Sequence, residues 1–279
     1  IGEERYTWLA DSFAFVLGGE RLFAKHYFGN RLPSNDTYWN EVLLATEPGL
    51  TDKDRRDYQS AGDAVAPFLE RCEVAYDWSQ YAVVGFAASF QQTMASMCLA
   101  RRIKMRFPNV QIVFGGAACE GPMGIEMLAQ FPEIDFVCVG EADHAFPNLV
   151  EQILSGNPVT PPTGVIGRHN LTADRLTPPS PCNFLTEDLD ALPYPDFDDY
   201  FDRADRSSLR EEIHSLLFFE TSRGCWWGQK HHCSFCGLNG GTLTYRSKSP
   251  ERAVEELRYL VERHDVHQAC SSDNILDYR

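Results

Sequence analysis

The sequence predicts an α/β protein built around a doubly wound parallel sheet. Three short apolar runs carry that expectation: Tyr81-Ala-Val-Val-Gly-Phe-Ala-Ala-Ser89, Gln111-Ile-Val-Phe-Gly-Gly116 and Ile134-Asp-Phe-Val-Cys-Val-Gly140. Each has strand length and the near-continuous hydrophobicity of a strand buried on both faces. Helical segments lie between them. Ala95, Leu99, Ile103 and Phe107 recur at i+4, while Arg101, Arg102, Lys104 and Arg106 point elsewhere and suit the negative end of the helix. Strands and helices alternating at this interval give a doubly wound sheet. Further on, the strand-like run Ser215 to Thr221 leads through a cysteine-bearing loop to a helix opened by Ser249, Pro250 and Glu251. A serine cap, a proline at the first position and an acidic first turn are strong start signals.

With 279 residues, 43% hydrophobic content, five Trp and 18 Phe, the chain has material for two cores. A first domain is expected over 1–155 and a second over 211–279. Residues 156–210 read as a connector, because Pro158, Pro161, Pro162, Pro178, Pro179, Pro181, Pro193 and Pro195 interrupt regular structure there. Only a short strand at Gly164-Val-Ile-Gly167 is expected within it. The formal charge of −15 argues against a nucleic-acid partner, since phosphate binding draws on surplus Lys and Arg. No apolar run approaches the roughly 20 residues of a membrane helix. The opening Ile1-Gly-Glu-Glu-Arg lacks secretory features, so the nine cysteines read as cytoplasmic thiols rather than a disulfide framework.

In open α/β sheets ligands bind beyond the carboxyl ends of the strands. The loops to consider there are Ser89-Phe90-Gln91-Gln92, the segment from Gly115 and Gly116 through Glu120 to Gly121, and Gly140-Glu141-Ala-Asp143. Paired glycines let backbone N–H groups approach a bulky or phosphorylated ligand, but they also serve in simple tight turns. No Gly-x-Gly-x-x-Gly follows any strand, so the dinucleotide fingerprint is absent. Glu141 is placed either to meet a ligand or to cap the next helix.

Cys225, Cys233 and Cys236 are spaced Cys-x7-Cys-x2-Cys. Structural zinc and iron–sulfur sites normally take four protein ligands, so two readings follow. Either His231, His232 or Cys270 completes a zinc tetrahedron, or a cluster keeps one iron open to substrate. Spacing alone leaves both open. Position favours the second, because the loop follows a strand and precedes a helix, where barrel active sites collect.

The words around these cysteines carry a resemblance. Thr221-Ser-Arg-Gly-Cys-Trp-Trp-Gly, Cys233-Ser-Phe-Cys-Gly-Leu-Asn-Gly, Arg246-Ser-Lys-Ser-Pro-Glu251 and Asp273-Asn-Ile-Leu-Asp277 resemble the cobalamin-dependent radical S-adenosylmethionine (SAM) family. They resemble in particular its branch of C-methyltransferases that mature ribosomally synthesised peptides (RiPPs). The likeness extends upstream through Leu192-Pro-Tyr-Pro-Asp-Phe-Asp-Asp-Tyr-Phe201, the Gly115 loop and Gly85-Phe-Ala-Ala-Ser-Phe-Gln-Gln92. The x7 interval departs from the superfamily's commoner x3 and fits this branch.

The resemblance implies a Rossmann-like cobalamin-binding domain followed by the N-terminal part of a radical SAM (β/α) partial TIM barrel. Cys225, Cys233 and Cys236 would hold a 4Fe-4S cluster whose open iron binds the amino and carboxylate groups of SAM. Phe235 would lie near the adenine or simply shield the cluster, and Asp273 and Asn274 would hydrogen-bond the methionyl group. Ser89, Phe90, Gln91 and Gln92 would flank the corrin, with Gly115, Gly116 and Glu120 around the nucleotide tail and Glu141 near the corrin amides. The Asp-x-His-x-x-Gly signature is absent, so cobalt would have no histidine ligand.

The implied reaction is methylation of an unactivated carbon in a ribosomally synthesised precursor peptide, with flavodoxin or ferredoxin as electron donor and no nucleic acid or membrane partner. The difficult chemistry would belong to the cofactors and positioning to the protein. The rival readings are a cobalamin radical SAM enzyme ending in cyclisation or rearrangement, and a zinc-stabilised peptide-binding module without catalysis. Relatives begin before Ile1 and continue beyond Arg279, so the chain reads as a fragment expected to be unstable or inactive alone.

Overall fold

The structure, a computed structural model, describes residues 8–9, 17–89, 91–168, 171, 185–207, 210–211, 215–231, 233, 236 and 243–276. The chain forms two compact units, 1–184 and 185–279.

The first unit is a mixed α/β layer structure. Its elements are α1 (Gly18–Phe28), a helical run over 35–46 with a π turn at Trp39–Leu43, α2 (Asp52–Val74), β1 (Val83–Ala87), α3 (Thr93–Arg106), β2 (Gln111–Gly115), α4 (Pro122–Gln130), β3 (Phe136–Cys138), α5 (Ala145–Leu154) and β4 (Val165–Gly167). The sheet order is β1-β2-β3-β4. β1, β2 and β3 run parallel, with Val83 opposite Gln111 and Val113 opposite Phe136; β4 is antiparallel, with Val137 opposite Ile166.

The two-residue strand period sorts β2 between the faces. Ile112 and Phe114 join a core with Leu22, Tyr58, Met97, Ile103 and Leu128, which lie on α1, α2, α3 and α4. Val113 turns the other way and joins Phe136, Cys138, Val165 and the α5 residues Ala145 and Leu149. Helices therefore cover both faces, which is why the strands read as unbroken apolar runs.

α2 is absent from the sequence expectations, yet its signal is local. Thr51 accepts from Asp54 N–H at 3.4 Å while the Asp54 carboxylate accepts from Thr51 N–H at 2.8 Å, a reciprocal capping box. Its buried residues Tyr58, Ala61, Val65 and Leu69 recur at helical spacing.

The second unit contains α6 (Asp198–Arg206), β5 (Leu217–Phe219), β6 (Ser222–Arg223), α7 (Trp226–His231), β7 (Arg246–Ser247), α8 (Pro250–His264) and β8 (Ala269–Ser271). β5 and β8 are parallel, with Phe218 opposite Cys270, and α8 is the crossover between them. β6 and β7 form a short antiparallel pair. Ser249 caps α8, accepting from Arg252 N–H at 3.2 Å.

Within 156–210 the strand expected at 164–167 forms as β4, and a helix absent from the sequence expectations, α6, forms at 198–206. β4 lies inside 156–210 and belongs to the first sheet, α6 belongs to the second unit, and the units divide at 184/185. The described prolines Pro158, Pro161, Pro162, Pro193 and Pro195 lie outside these two elements, and 165–167 and 198–206 contain none, so proline removes no donor from either. Among the described residues no helix is long and apolar enough to cross a membrane.

Candidate functional site

At the carboxyl ends of β1 and β2 lies a cleft of about 530 Å³. Leu17, Met94, Ala117 and Ala118 supply its apolar lining, and Glu20, Ser89, Gln91 and Thr93 its polar groups. Ser89 donates its hydroxyl to the Gln92 side-chain carbonyl at 2.9 Å. Gln91 adopts φ 62, unusual for a residue with a side chain, and its side-chain oxygen accepts from Gly19 N–H at 3.2 Å.

Gly116 has φ +89, and a Cβ there would stand 2.6 Å from the Ala88 carbonyl oxygen. Its missing side chain lets the loops after β1 and β2 touch, with Ala118 N–H donating to the same carbonyl at 3.1 Å. Gly115 ends β2 beside it. Glu120 follows a 3-10 turn at Ala117–Cys119 and Glu141 follows β3, and neither is among the residues lining the cleft. Phe90 lies outside the described residues.

Glu20 decides what the cleft suits. Its two carboxylate oxygens accept from Thr93 N–H at 2.8 Å and Met94 N–H at 2.6 Å, the first free donors of α3. The place where a helix start would hold a phosphate is thus filled from within the chain. An apolar lining with amide and hydroxyl groups, and one carboxylate already engaged by backbone N–H groups, suits a macrocycle with an apolar face and amide arms, so the residues present fit a corrin.

In the second unit the cysteine loop leaves the carboxyl end of β5. Gly224, at φ +80, brings the chain so close to Thr244 that a Cβ would lie 2.1 Å from its carbonyl oxygen. Cys225 N–H donates to Leu243 O at 3.3 Å, and the Cys225 sulfur accepts from Gly228 N–H at 3.2 Å. Cys236 N–H donates to Cys233 O at 3.4 Å. Cys225 and Cys233 are half-buried and Cys236 is exposed.

Among the described residues, no three His, Cys, Asp or Glu side chains converge to hold a metal ion. Neither His231, whose ring lies 4.2 Å from that of Trp227, nor Cys270 on β8 joins the three cysteines in such a group. His232 and Phe235 lie outside the described residues. The donor set fits an iron–sulfur cluster in kind, three thiols on one strand-end loop, though it is not gathered here.

Asp273 follows β8. Its carboxylate accepts from Thr221 N–H at 2.7 Å, Ser222 N–H at 2.8 Å and the Ser271 hydroxyl at 2.6 Å, and also from the Thr221 hydroxyl. Asn274 is the next residue, on the segment that continues to Leu276. Beside this junction is a second cleft, of about 600 Å³, lined by Asp190, Thr221, Ser247, Lys248, Ser249, Pro250, Ala253 and Leu276. Sequence reasoning did not find it, nor did it find Glu20. Burial pushes the thiols of Cys98 and Cys138 up to about 11 and that of Cys119 to about 12, so they stay protonated and inert.

No protein-family profile matches the chain. Over 179 residues, 63% of its length, it is 30% identical to the 2-(S-pantetheinyl)-carbapenam-3-carboxylate methyltransferase of Streptantibioticus cattleyicolor, covering 25% of that protein. It is 28% identical over 219 residues, 78% of its length, to the cobalamin-dependent radical SAM methyltransferase TokK of Streptomyces tokunonensis, covering 30%. An anaerobic magnesium-protoporphyrin IX monomethyl ester cyclase of Synechocystis sp. is 23% identical over 191 residues, 67% of this chain and 35% of the cyclase. The solved radical SAM methyltransferase TsrM of Kitasatospora setae superposes with a TM-score of 0.49 at 15% identity, over 75% of this chain and 39% of that one. The chain thus spans between 25% and 35% of the length of the curated relatives it matches. Two of those relatives are methyltransferases, one of them named as cobalamin-dependent and radical SAM, and the chain is similar to them at 30% identity and below.

Proposed function

We propose that this chain is part of a cobalamin-dependent radical SAM methyltransferase. The observation that carries the reading is the three-cysteine loop leaving the carboxyl end of a parallel strand, in a chain similar to a named enzyme of that kind. Cys225, Cys233 and Cys236 hold a 4Fe-4S cluster with one position left for SAM, and the cleft bounded by Ser89, Gln91 and Ala117 takes cobalamin. When bound, the cluster supplies the electron that cleaves SAM, and cobalamin supplies the methyl carrier. The protein's own part is to hold and orient. Glu20 keeps the start of α3 closed to anions, Gly116 joins the two loops beneath the cleft, and Gly224 sets the direction in which Cys225 leaves its strand.

The second unit is the opening of a radical SAM barrel, and the first is a Rossmann-like cobalamin-binding domain. The substrate is an unactivated carbon of a ribosomally synthesised peptide, supported by the wording of the cysteine segment; the carbapenam named for one relative makes a small molecule the competing class. The second reading, a radical outcome without methylation, is favoured by the similarity to a cyclase.

Anaerobic reconstitution with iron, sulfide and cobalamin tests the proposal. Bound iron and sulfide, lost on Cys225→Ala, together with a cobalamin absorbance change are expected. One zinc with no iron would overturn it. Mass spectrometry on the full-length protein with a candidate peptide separates the outcomes, since methylation adds one methyl and cyclisation does not.

A further inference from the structure

We infer that Asp273 is a positioning residue that latches the turn in front of Cys225, rather than a group that touches SAM. Its carboxylate has four donors within the chain. Oδ1 takes the N–H groups of Thr221 and Ser222, and Oδ2 takes the hydroxyls of Thr221 and Ser271. A carboxylate offers about four lone-pair sites, so the set is filled. A ligand ammonium or hydroxyl would have to displace donors already satisfied by a charge-assisted bond.

The latch acts on the cysteine through the chain itself. Thr221 and Ser222 stand just before Gly224 and Cys225, and the residues after Asp273 hold the same stretch from a second side: Ser222 donates its hydroxyl to Ile275 O at 3.0 Å, and the Trp226 indole N–H donates to Leu276 O at 3.0 Å. The end of β8 therefore fixes both flanks of Cys225. Among the described residues, Cys225 is thus held from both sides by the segment that follows β8. The significance for a cluster rests on the function proposed above; the latch itself does not.

Two variants test it. Asparagine keeps an oxygen for the two backbone N–H groups and can donate to the hydroxyls, whereas alanine removes every bond. Hydrogen exchange of the unloaded chain is measured at 221–226, with α8, in the same unit, as internal control. Asp273→Ala is expected to speed exchange there by tenfold or more while α8 is unchanged, and Asp273→Asn to stay within about threefold of the parent. Iron and sulfide loading should fall in the alanine variant and recover in the asparagine one. Unchanged exchange at 221–226 in Asp273→Ala overturns the latch, as does an equal rise across α8, which signals unfolding of the whole unit. Slow exchange in Asp273→Asn combined with loss of SAM binding in the full-length enzyme would return Asp273 to a ligand role. If the parent takes up no iron and sulfide, the proposed function fails while the exchange result still decides the latch.

Discussion

Lys248 and Glu256 form a buried ion pair, with the ammonium nitrogen 2.8 and 2.7 Å from the two carboxylate oxygens and both side chains almost fully enclosed. Arg252 donates to the same carboxylate at 2.8 Å. One anion therefore serves two cations, and removing it should cost more than removing either partner. Breaking a buried pair typically costs about 3–5 kcal/mol. Glu256→Gln is expected at that level. Lys248→Met should lose about 1–2 kcal/mol, since Glu256 keeps Arg252 as a charged hydrogen-bond partner. Urea unfolding followed by a probe in the second unit reads both; equal losses would mean that the carboxylate is not the centre of the group.

Gly116 gives a prediction about the first cleft. At φ +89 and ψ −179 its backbone lies where side chains are strongly disfavoured, and a Cβ would overlap Ala88 O. Gly116→Ala should destabilise the first unit by about 3 kcal/mol, from strain of about 1–3 kcal/mol plus the clash. Gly49 is the control: among the described residues nothing lies within 4 Å of where its Cβ would stand, and Gly49→Ala should stay within about 0.5 kcal/mol. Thermal melts of the two variants compare them directly.

The sheet was legible because its burial is two-sided. Ile112, Val113 and Phe114 need apolar neighbours on both faces, and that need is written as a continuous run. α8 was legible from Ser249 and Pro250. The antiparallel direction of β4 was not, since pairing direction depends on the route of the chain rather than on Val165 and Ile166 themselves. Within the candidate sites, the cysteines announce their chemistry by residue type. Glu20 does not, because its contact with Thr93 spans 73 residues and an acidic residue on a helix has no local mark of capping another. The likeness around Asp273 points to a ligand, but its donors are Thr221, between β5 and β6, and Ser222 on β6, 52 and 51 residues away, and only the fold brings them together.

Tyr27 makes stability depend on pH in the alkaline range. Burial, then its hydrogen bond to Glu133 at 2.8 Å, pushes the phenol up to about 12. In the unfolded chain it ionises near 10. The folded state holds this proton more tightly, so its contribution is complete below about pH 10 and is lost as pH rises through 12. Tyr27→Phe should flatten, without abolishing, the decline in stability over that window, because burial also raises Tyr58 and Tyr38. Denaturation midpoints taken across the window, with phenolate absorbance as the ionisation marker, check the slope; an unchanged slope would remove Tyr27 as a source.

Glu20 turns the start of α3 into a site that rejects anions, and this can be reversed. Its carboxylate neutralises the positive helix end while using the N–H groups of Thr93 and Met94. Glu20→Ala should cost about 1–2 kcal/mol, as loss of a cap does. It should also free two backbone donors, on residues that line the cleft. Inorganic phosphate is then expected to raise the melting temperature of the variant more than that of the parent, since only the variant offers the free helix end. Cobalamin should discriminate in the opposite sense: removing the carboxylate leaves the apolar floor of Leu17, Met94 and Ala117 in place, so its binding should change less than phosphate binding does. A parent chain stabilised by phosphate as strongly as the variant would show that Glu20 does not guard the helix end.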